Sequence, residues 1–176
     1  TATAMALLNV VRGGCTVSGS GTTASAGRIN VCGTGRLTLN GAAMTAGTNI
    51  YVRDSGLLRI YVNIINLQQN GGEVHLGTAA TTTTATSTQL VVDGGTCHVY
   101  SSGTQTLVEV GSGGRVIAEN DLVRTWSACR VFGNRCLLDL SRTSVQNHTL
   151  TAGIIATGGA TGANILGPTG GKITYT

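Results

Sequence analysis

Proline, aromatic residues and charges are all scarce in this sequence, and each shortage excludes a class of protein. Its 176 residues include one proline, 3% aromatic and 10% charged residues, whereas about a quarter of a typical chain is charged. The 27 glycines follow no three-residue period, which excludes collagen, and the positive mean hydropathy argues against general disorder. No apolar run approaches the roughly 18 residues that a membrane span needs. We therefore expect one domain with a core of small and branched side chains.

The positive charges are few and dispersed. Ten arginines and Lys172 outnumber the acids and give a net charge of +4. The arginines are spread from Arg12 to Arg142 without a basic run. Nucleic-acid binding favours clustered cations or aromatic stacking platforms. We expect neither a nucleic acid nor a membrane as a partner.

A short phrase recurs along the chain: a turn residue, a variable residue, then an apolar, a variable and an apolar residue. Its copies begin at positions 13, 35, 56, 72, 95, 114, 134, 153 and 171, so the mean spacing is about 20 residues. A second phrase of the same alternation precedes most copies, as in Ile29–Val31, Ile65–Leu67 and Leu90–Val92. Alternation at period two is typical of strands with one apolar face. A strand–turn–strand unit of this size must stack on copies of itself to bury that face.

This period predicts an all-β fold, a single-stranded parallel β-helix (β-solenoid) with a right-handed turn. We expect one domain over residues 1–176, with eight or nine coils of about 20 residues. Residues 153–176 are expected to form a capping coil or an assembly tail. A sandwich or barrel is the alternative for many short strands, but the constant order of the units argues against it.

Stacking sorts the side chains into columns. The two inward columns are predicted to be Cys15, Leu37, Leu58, Val74, Cys97, Val116, Cys136, Ile155 and Ile173, and Val17, Leu39, Ile60, Leu76, Val99, Ala118, Leu138, Thr157 and Tyr175.

The column between them points outward, and its C-terminal third is mostly apolar. An apolar outer face needs a covering partner, and tryptophan is favoured at interface centres, although Trp126 packed over a coil edge is an equal alternative. The candidates for partner contact are Ile117, Leu137, Trp126, His75 and His98.

Two histidines occupy the same outward position in consecutive coils. His75 and His98, with Glu73 near the first, are residue types that bind a metal or polarise a nucleophile. Because no third ligand is apparent, we predict a stacked surface pair with no metal and no cofactor. A sugar-cleaving site needs two facing carboxylates. Four acids lie near similar points of successive coils and could line one groove: Asp54, Glu73, Asp93 and Glu109. Asp54 and Glu73, with Arg53, are the candidates for such a site, but acids beside turns are more simply turn formers, and we predict no catalytic residue.

The five cysteines contain no Cys-x-x-Cys pair, which argues against a zinc ribbon or a disulfide framework. Cys15, Cys97 and Cys136 belong to one predicted inward column but to non-adjacent coils. We expect small buried hydrophobic residues in a chain that folds in a reducing cytoplasm.

The glycine-rich phrase, as in Thr106-Leu-Val-Glu-Val-Gly-Ser-Gly-Gly-Arg-Val-Ile117, resembles two groups. One is the passenger repeat of self-associating autotransporter adhesins. The other is the β-helical part of phage virion proteins such as tail spikes, tail fibres and capsid-decoration or head-fibre proteins. The five cysteines favour the second group, since the first resemblance implies few. The N-terminus also lacks the residue order of a secretory signal.

The phage resemblance implies a non-enzymatic structural and adhesion protein of a virion surface, made in the host cytoplasm. It implies a homotrimeric rod that contacts other capsid or tail proteins, with a host-surface glycan as a further ligand. The alternatives are a β-helical polysaccharide lyase or depolymerase, and a secreted adhesin module.

Overall fold

The computed structural model describes residues 5–18, 26–40, 49–80, 83–119, 125–132, 135–142, 148–157, 164–166 and 173–175. None of these residues is helical, so none belongs to a helix that could cross a membrane. They form the strands β1 (Met5–Val10), β2 (Gly14–Ser18), β3 (Ala26–Val31), β4 (Arg36–Asn40), β5 (Asn49–Val52), β6 (Leu57–Ile60), β7 (Ile64–Leu76), β8 (Ser87–Val99), β9 (Gln105–Val110), β10 (Gly114–Ala118), β11 (Thr125–Phe132), β12 (Leu137–Asp139), β13 (His148–Thr157), β14 (Asn164–Leu166) and β15 (Ile173–Tyr175).

These strands stack in two parallel ladders that share the two longest strands, β7 and β8. The first ladder runs β1-β3-β5-β7-β8-β9-β11-β13-β15. The second contains β2, β4, β6, the later halves of β7 and β8, then β10, β12 and β14. The chain is therefore an all-β parallel β-solenoid, which confirms the predicted fold class, while the eight or nine coils and the right-handed turn stay predictions.

The interior of the second ladder follows the predicted columns closely from β2 to β10. Leu37 pairs with Leu58, Leu58 with Val74, Val74 with Cys97 and Cys97 with Val116. Each of the five is at most 1% exposed. Alternation at period two places their neighbours on the outer face. The apolar phrase therefore predicted both the strands and their register in this part of the chain.

The predicted register is wrong in β12. Val116 pairs with Leu138 instead of Cys136, and Ile117 pairs with Asp139 instead of Leu137. The reason lies in the preceding turn, where Arg135 has a positive φ of 59°. The apolar phrase begins while the chain is still turning, and the strand starts only at Leu137.

The last two predicted copies of the phrase, which begin at positions 153 and 171, belong to the first ladder. Ile155 lies in β13, which pairs with β11, and Ile173 lies in β15, which pairs with β13. The second-ladder position after β12 is taken by β14, where Ile165 pairs with Leu138. Gly153 is part of a strand here and does not mark a turn. Much of 153–176 lies outside the described residues, so its capping role stays a prediction.

A polar side chain displaces the predicted register at the start of β7. Ile50 and Val52 pair with Leu67 and Gln69, so the predicted phrase Ile65–Leu67 is wrong by two residues. Gln69 is fully buried, and its amide nitrogen donates to the carbonyls of Gly72 and Thr96, each at 3.0 Å. These hydrogen bonds satisfy the amide nitrogen, whereas the buried Oε1 atom has no hydrogen-bond partner among the described residues.

Glycine at the turn between the ladders is required by close backbone stacking. Gly72 has a φ of +67°, and a Cβ there would lie 2.2 Å from the carbonyl oxygen of Gly56 in the coil below. Gly95 repeats this arrangement one coil later, against the carbonyl oxygen of Gly72. The predicted turn anchors are thus points where coil backbones touch.

Candidate functional site

His75 and His98 are direct neighbours on the outer face of the second ladder, as predicted. They pair across β7 and β8, and their rings stack with centroids 4.8 Å apart at an interplanar angle of 19°. Each is held by buried residues on both sides along its strand, Val74 and Leu76 for the first ring. Side-chain exposures of 17% and 19% leave both rings partly open to solvent.

Glu73 brings a carboxylate to both rings. It lies two residues before His75, and period-two alternation therefore places it on the same face. Its Oε1 atom is 2.6 Å from Nε2 of His75 and 3.6 Å from Nε2 of His98. One ligand atom from each of the three residues lies within 4.8 Å of the others. The expectation that no third ligand is apparent is therefore wrong.

A second carboxylate orients His98 from the opposite ring nitrogen. Oε1 of Glu119 lies 2.5 Å from Nδ1 of His98, and the Glu119 side chain is only 7% exposed. Arg142 donates through Nη1 to both Glu119 oxygens, at 2.8 and 2.6 Å. The Glu119 carboxylate accepts a hydrogen bond from Nδ1–H of His98, which leaves Nε2 of His98 facing Glu73.

The surroundings favour a neutral His75 ring. Burial lowers the pKa of His75, and the hydrogen bond to Glu73 opposes this effect only in part. The charges of His98 and Arg59 lower this pKa further. Tyr100 stacks beside the ring with centroids 6.1 Å apart. A neutral imidazole carries a lone pair, which is the form that binds a metal ion.

An open cleft of about 620 Å³ borders this cluster, lined by Arg36, Asp54, Glu73, Thr96 and His98 among others. It brings two of the proposed acids, Asp54 and Glu73, to one surface. Asp54 has a positive φ of 57° in its turn, and its Oδ2 accepts from the backbone N–H of Gly33 at 3.3 Å. The positive φ fits the turn-forming role expected for such acids, and the bond to Gly33 links this turn to the preceding coil.

The other acids and Arg53 lie elsewhere. Glu109 lines a different cleft, formed by the first ladder, and its Oε1 is 3.0 Å from Nη1 of Arg130. Arg53 lies over the ring of Tyr51, 5.6 Å from its centroid. The acids of successive coils therefore do not share one groove.

The five predicted contact residues fall into two groups. Trp126 is fully buried and belongs to the hydrophobic core, and Ile117 is only 3% exposed although it pairs with His98 on the outer face. Leu137 pairs with Arg115 and is half-buried, and the two histidines are partly exposed. Contact with a partner stays a prediction for all five.

None of the five cysteines forms a disulfide, but their burial differs. Burial raises the pKa of Cys97 and of Cys129 to about 12. Cys15 and Cys32 are only half-buried. The expectation of uniformly buried thiols is therefore wrong for these two.

Sequence reasoning missed Glu119, Tyr100 and Arg142. Two of them carried a usable signal: Tyr100 follows His98 by two residues, and Glu119 follows Ile117 by two, so both keep the outward parity of their strands. Arg142 lies 23 residues from Glu119 with no local pattern that predicts the contact. No protein-family model, curated protein or solved structure matches this chain.

Proposed function

We propose that the chain is a non-enzymatic structural and adhesion protein of a virion surface, and that it acts as a homotrimeric rod. The observation that carries this proposal is the first ladder, in which nine parallel strands stack from β1 to β15. Stacked coils contact only their neighbours and make an elongated scaffold. Such a scaffold suits a protein that docks at one end and presents the other.

The same ladder supports the finer architecture. Counting each first-ladder strand as one coil supports a helix of eight or nine coils. The general preference of parallel β-connections for right-handed crossovers supports a right-handed turn. Both belong to the proposal.

Exposed apolar side chains support association with other chains. Leu7 and Val11 are 49% and 50% exposed in the first coil, and Phe132 is 38% exposed at the end of β11. Neighbouring exposed apolar groups are typical of contact surfaces. A second or third copy of the chain, or a capsid or tail protein, would cover them.

The mass in solution tests the trimer. Light scattering on a size-exclusion column should give three times the chain mass, and Leu7→Ser with Val11→Ser should shift the protein toward smaller species. Thr16→Ser, at an exposed polar position of the same coil, is the matched control. A stable wild-type monomer would overturn the trimer.

Two further observations test the virion role and the absence of enzyme activity. The gene should have capsid, portal or tail genes beside it, and a neighbourhood without them would contradict the virion assignment. Capsular polysaccharides should be left intact. Turnover that Glu73→Gln abolishes would replace this proposal with the lyase or depolymerase alternative, since Glu73 lines the cleft of about 620 Å³.

A further inference from the structure

We propose that Glu73, His75 and His98 bind a divalent transition-metal ion, with zinc as the best fit. Two imidazoles and one carboxylate form a ligand set that zinc uses in proteins. Three protein ligands leave a fourth position for water or for a group from a bound molecule. This site is independent of the virion role and differs from the metal-free surface pair predicted from the sequence.

The ligand atoms already converge on one point. Nε2 of His75 and Nε2 of His98 both face the same oxygen of Glu73, at 2.6 and 3.6 Å. Zinc bonds of about 2.0–2.2 Å in a tetrahedron place ligand atoms roughly 3.3 Å apart. The observed separations, all within 4.8 Å, bracket that value. Glu73 is half-exposed, so rotation of its side chain can open the space between the nitrogens.

Proton balance is met within the cluster. In the metal-free state Nε2 of His75 shares a hydrogen bond with Oε1 of Glu73, and a neutral ring that donates it carries its single proton on Nε2. On metal binding that proton passes through solvent to Nδ1 of the same ring, so that the imidazole stays neutral and Nε2 binds the ion. The carboxylate then turns its oxygen from the proton to the metal. No oxidation or reduction is involved.

Glu119 supplies the outer support that metal-bound histidines usually have. Its oxygen lies 2.5 Å from Nδ1 of His98, and Arg142 holds both of its oxygens. A carboxylate on the far nitrogen fixes the tautomer and makes the other nitrogen a better ligand. We assign Glu119 as a positioning residue.

The backbone holds the two histidines at the required distance. They belong to strands that pair directly in parallel register, and neighbouring strands are about 4.8 Å apart. The charges facing the site are nearly balanced: Glu73 and Glu119 oppose Arg59 and Arg142. The surrounding charge is therefore close to neutral and does not repel a divalent cation.

Zinc titration against a chromophoric competitor tests the site. The half-buried thiols Cys15 and Cys32 are replaced by serine in every protein, so that they cannot provide a rival site. We expect one equivalent bound by the parent, and affinity lowered more than about 100-fold in Glu73→Gln, His75→Gln and His98→Gln. Glu119→Gln should lower it by about 10- to 100-fold. His148→Gln, the third histidine, is the matched control and should have no effect.

Cobalt provides a spectroscopic readout that does not depend on the zinc affinities. Co²⁺ added to the parent should give the intense visible absorption of a four-coordinate nitrogen and oxygen site, and zinc should displace it. Glu119→Gln should keep that absorption with weaker binding, whereas loss of a ligand should abolish it. Weak octahedral absorption in the parent, or equal zinc affinity in the ligand variants and His148→Gln, would overturn the proposal.

Discussion

Two buried regions of the same central coils exclude water in different ways. The interior of the second ladder is aliphatic, with Leu58 and Val74 stacked and fully buried. Near the starts of β8 and β9, a polar cluster of Ser87, Ser101 and Gln105 is equally buried, each at most 1% exposed. Coils with the same backbone arrangement therefore stack although their buried side chains differ in polarity.

The polar cluster is acceptable because its hydrogen bonds are made within it. The Ser87 hydroxyl donates to the Gln105 side-chain oxygen, and the Gln105 amide donates to the carbonyls of Ala85 and Gly103, at 3.2 and 3.1 Å. The Ser101 hydroxyl donates to Ala85 at 2.7 Å. Buried polar groups with partners cost little, and unpaired ones cost much more. One region is thus held by packing and the other by direction-dependent bonds.

Thiol labelling should show the largest difference between a sealed interior and a partly open edge. Cys97 lies in the aliphatic interior, where burial raises its pKa to about 12, so only roughly one thiol in ten thousand is ionised near pH 8. We expect native Cys97 to react with a disulfide reagent at least about a thousandfold more slowly than an ordinary exposed thiol. Half-buried Cys15 and Cys32 should label first.

Mass spectrometry of timed samples resolves the five sites, and a urea-unfolded sample, in which all five label, is the control. Labelling of native Cys97 as fast as Cys32 would mean that the second-ladder interior opens readily.

Truncating a buried leucine should destabilise the aliphatic region. Leu58→Ala removes a fully buried side chain between Leu37 and Val74, and the free energy of unfolding should fall by about 2–5 kcal/mol. Leu57→Ala, one residue away on the half-buried outer side, should cost clearly less. Urea unfolding measures both, and equal losses would show that the interior packs no better than the surface.

Two glycines separate backbone strain from coil-to-coil contact. Gly72 and Gly113 both have positive φ, but a Cβ on Gly72 would meet the Gly56 backbone, whereas one on Gly113 would meet nothing within 4 Å. Gly113→Ala should cost about 1–2 kcal/mol from the left-handed conformation alone. Gly72→Ala should cost about 1–3 kcal/mol more, since the coils must move apart. Equal losses in urea unfolding would refute the close stacking of the turns.

The same contrast explains how much of the fold was predictable. Period-two apolar phrases predicted the second ladder from β2 to β10, because each inward position there is apolar and each turn carries glycine. The predicted register is wrong where an inward position is polar, as at Gln69. It is also wrong where the turn takes up part of the apolar phrase, as at Arg135 and Cys136. The assignment of strands to ladders is wrong from Gly153 onward, because the phrases of both ladders have the same apolar alternation.

The candidate site was predictable in part for a related reason. His75 and His98 came together because both lie on well-predicted strands at equal depth in the repeat. Glu73 was near the pair in sequence, but only the side-chain direction makes it a third ligand. The contact of Arg142 with Glu119 depends on how the chain leaves β12, which no repeat encodes.

Removing one hydroxyl should weaken the polar region by a smaller amount. The Ser101 hydroxyl accepts from the backbone N–H of Gly103 at 3.0 Å and donates to Ala85. In Ser101→Ala the Ala85 carbonyl keeps its bond from Gln105, but the buried Gly103 N–H loses its partner. The unpaired donor should lower the free energy of unfolding by about 1–2 kcal/mol.

Ser102→Ala is the matched control for this change. Ser102 is half-buried, and its backbone N–H donates to the Thr83 carbonyl at 2.9 Å, a bond that the substitution keeps. Its unfolding free energy should stay within about 0.5 kcal/mol of the parent. A Ser101→Ala protein as stable as this control would mean that water enters and replaces the hydroxyl. The polar region would then be a hydrated part of the coil, and only the aliphatic region would be a dry core.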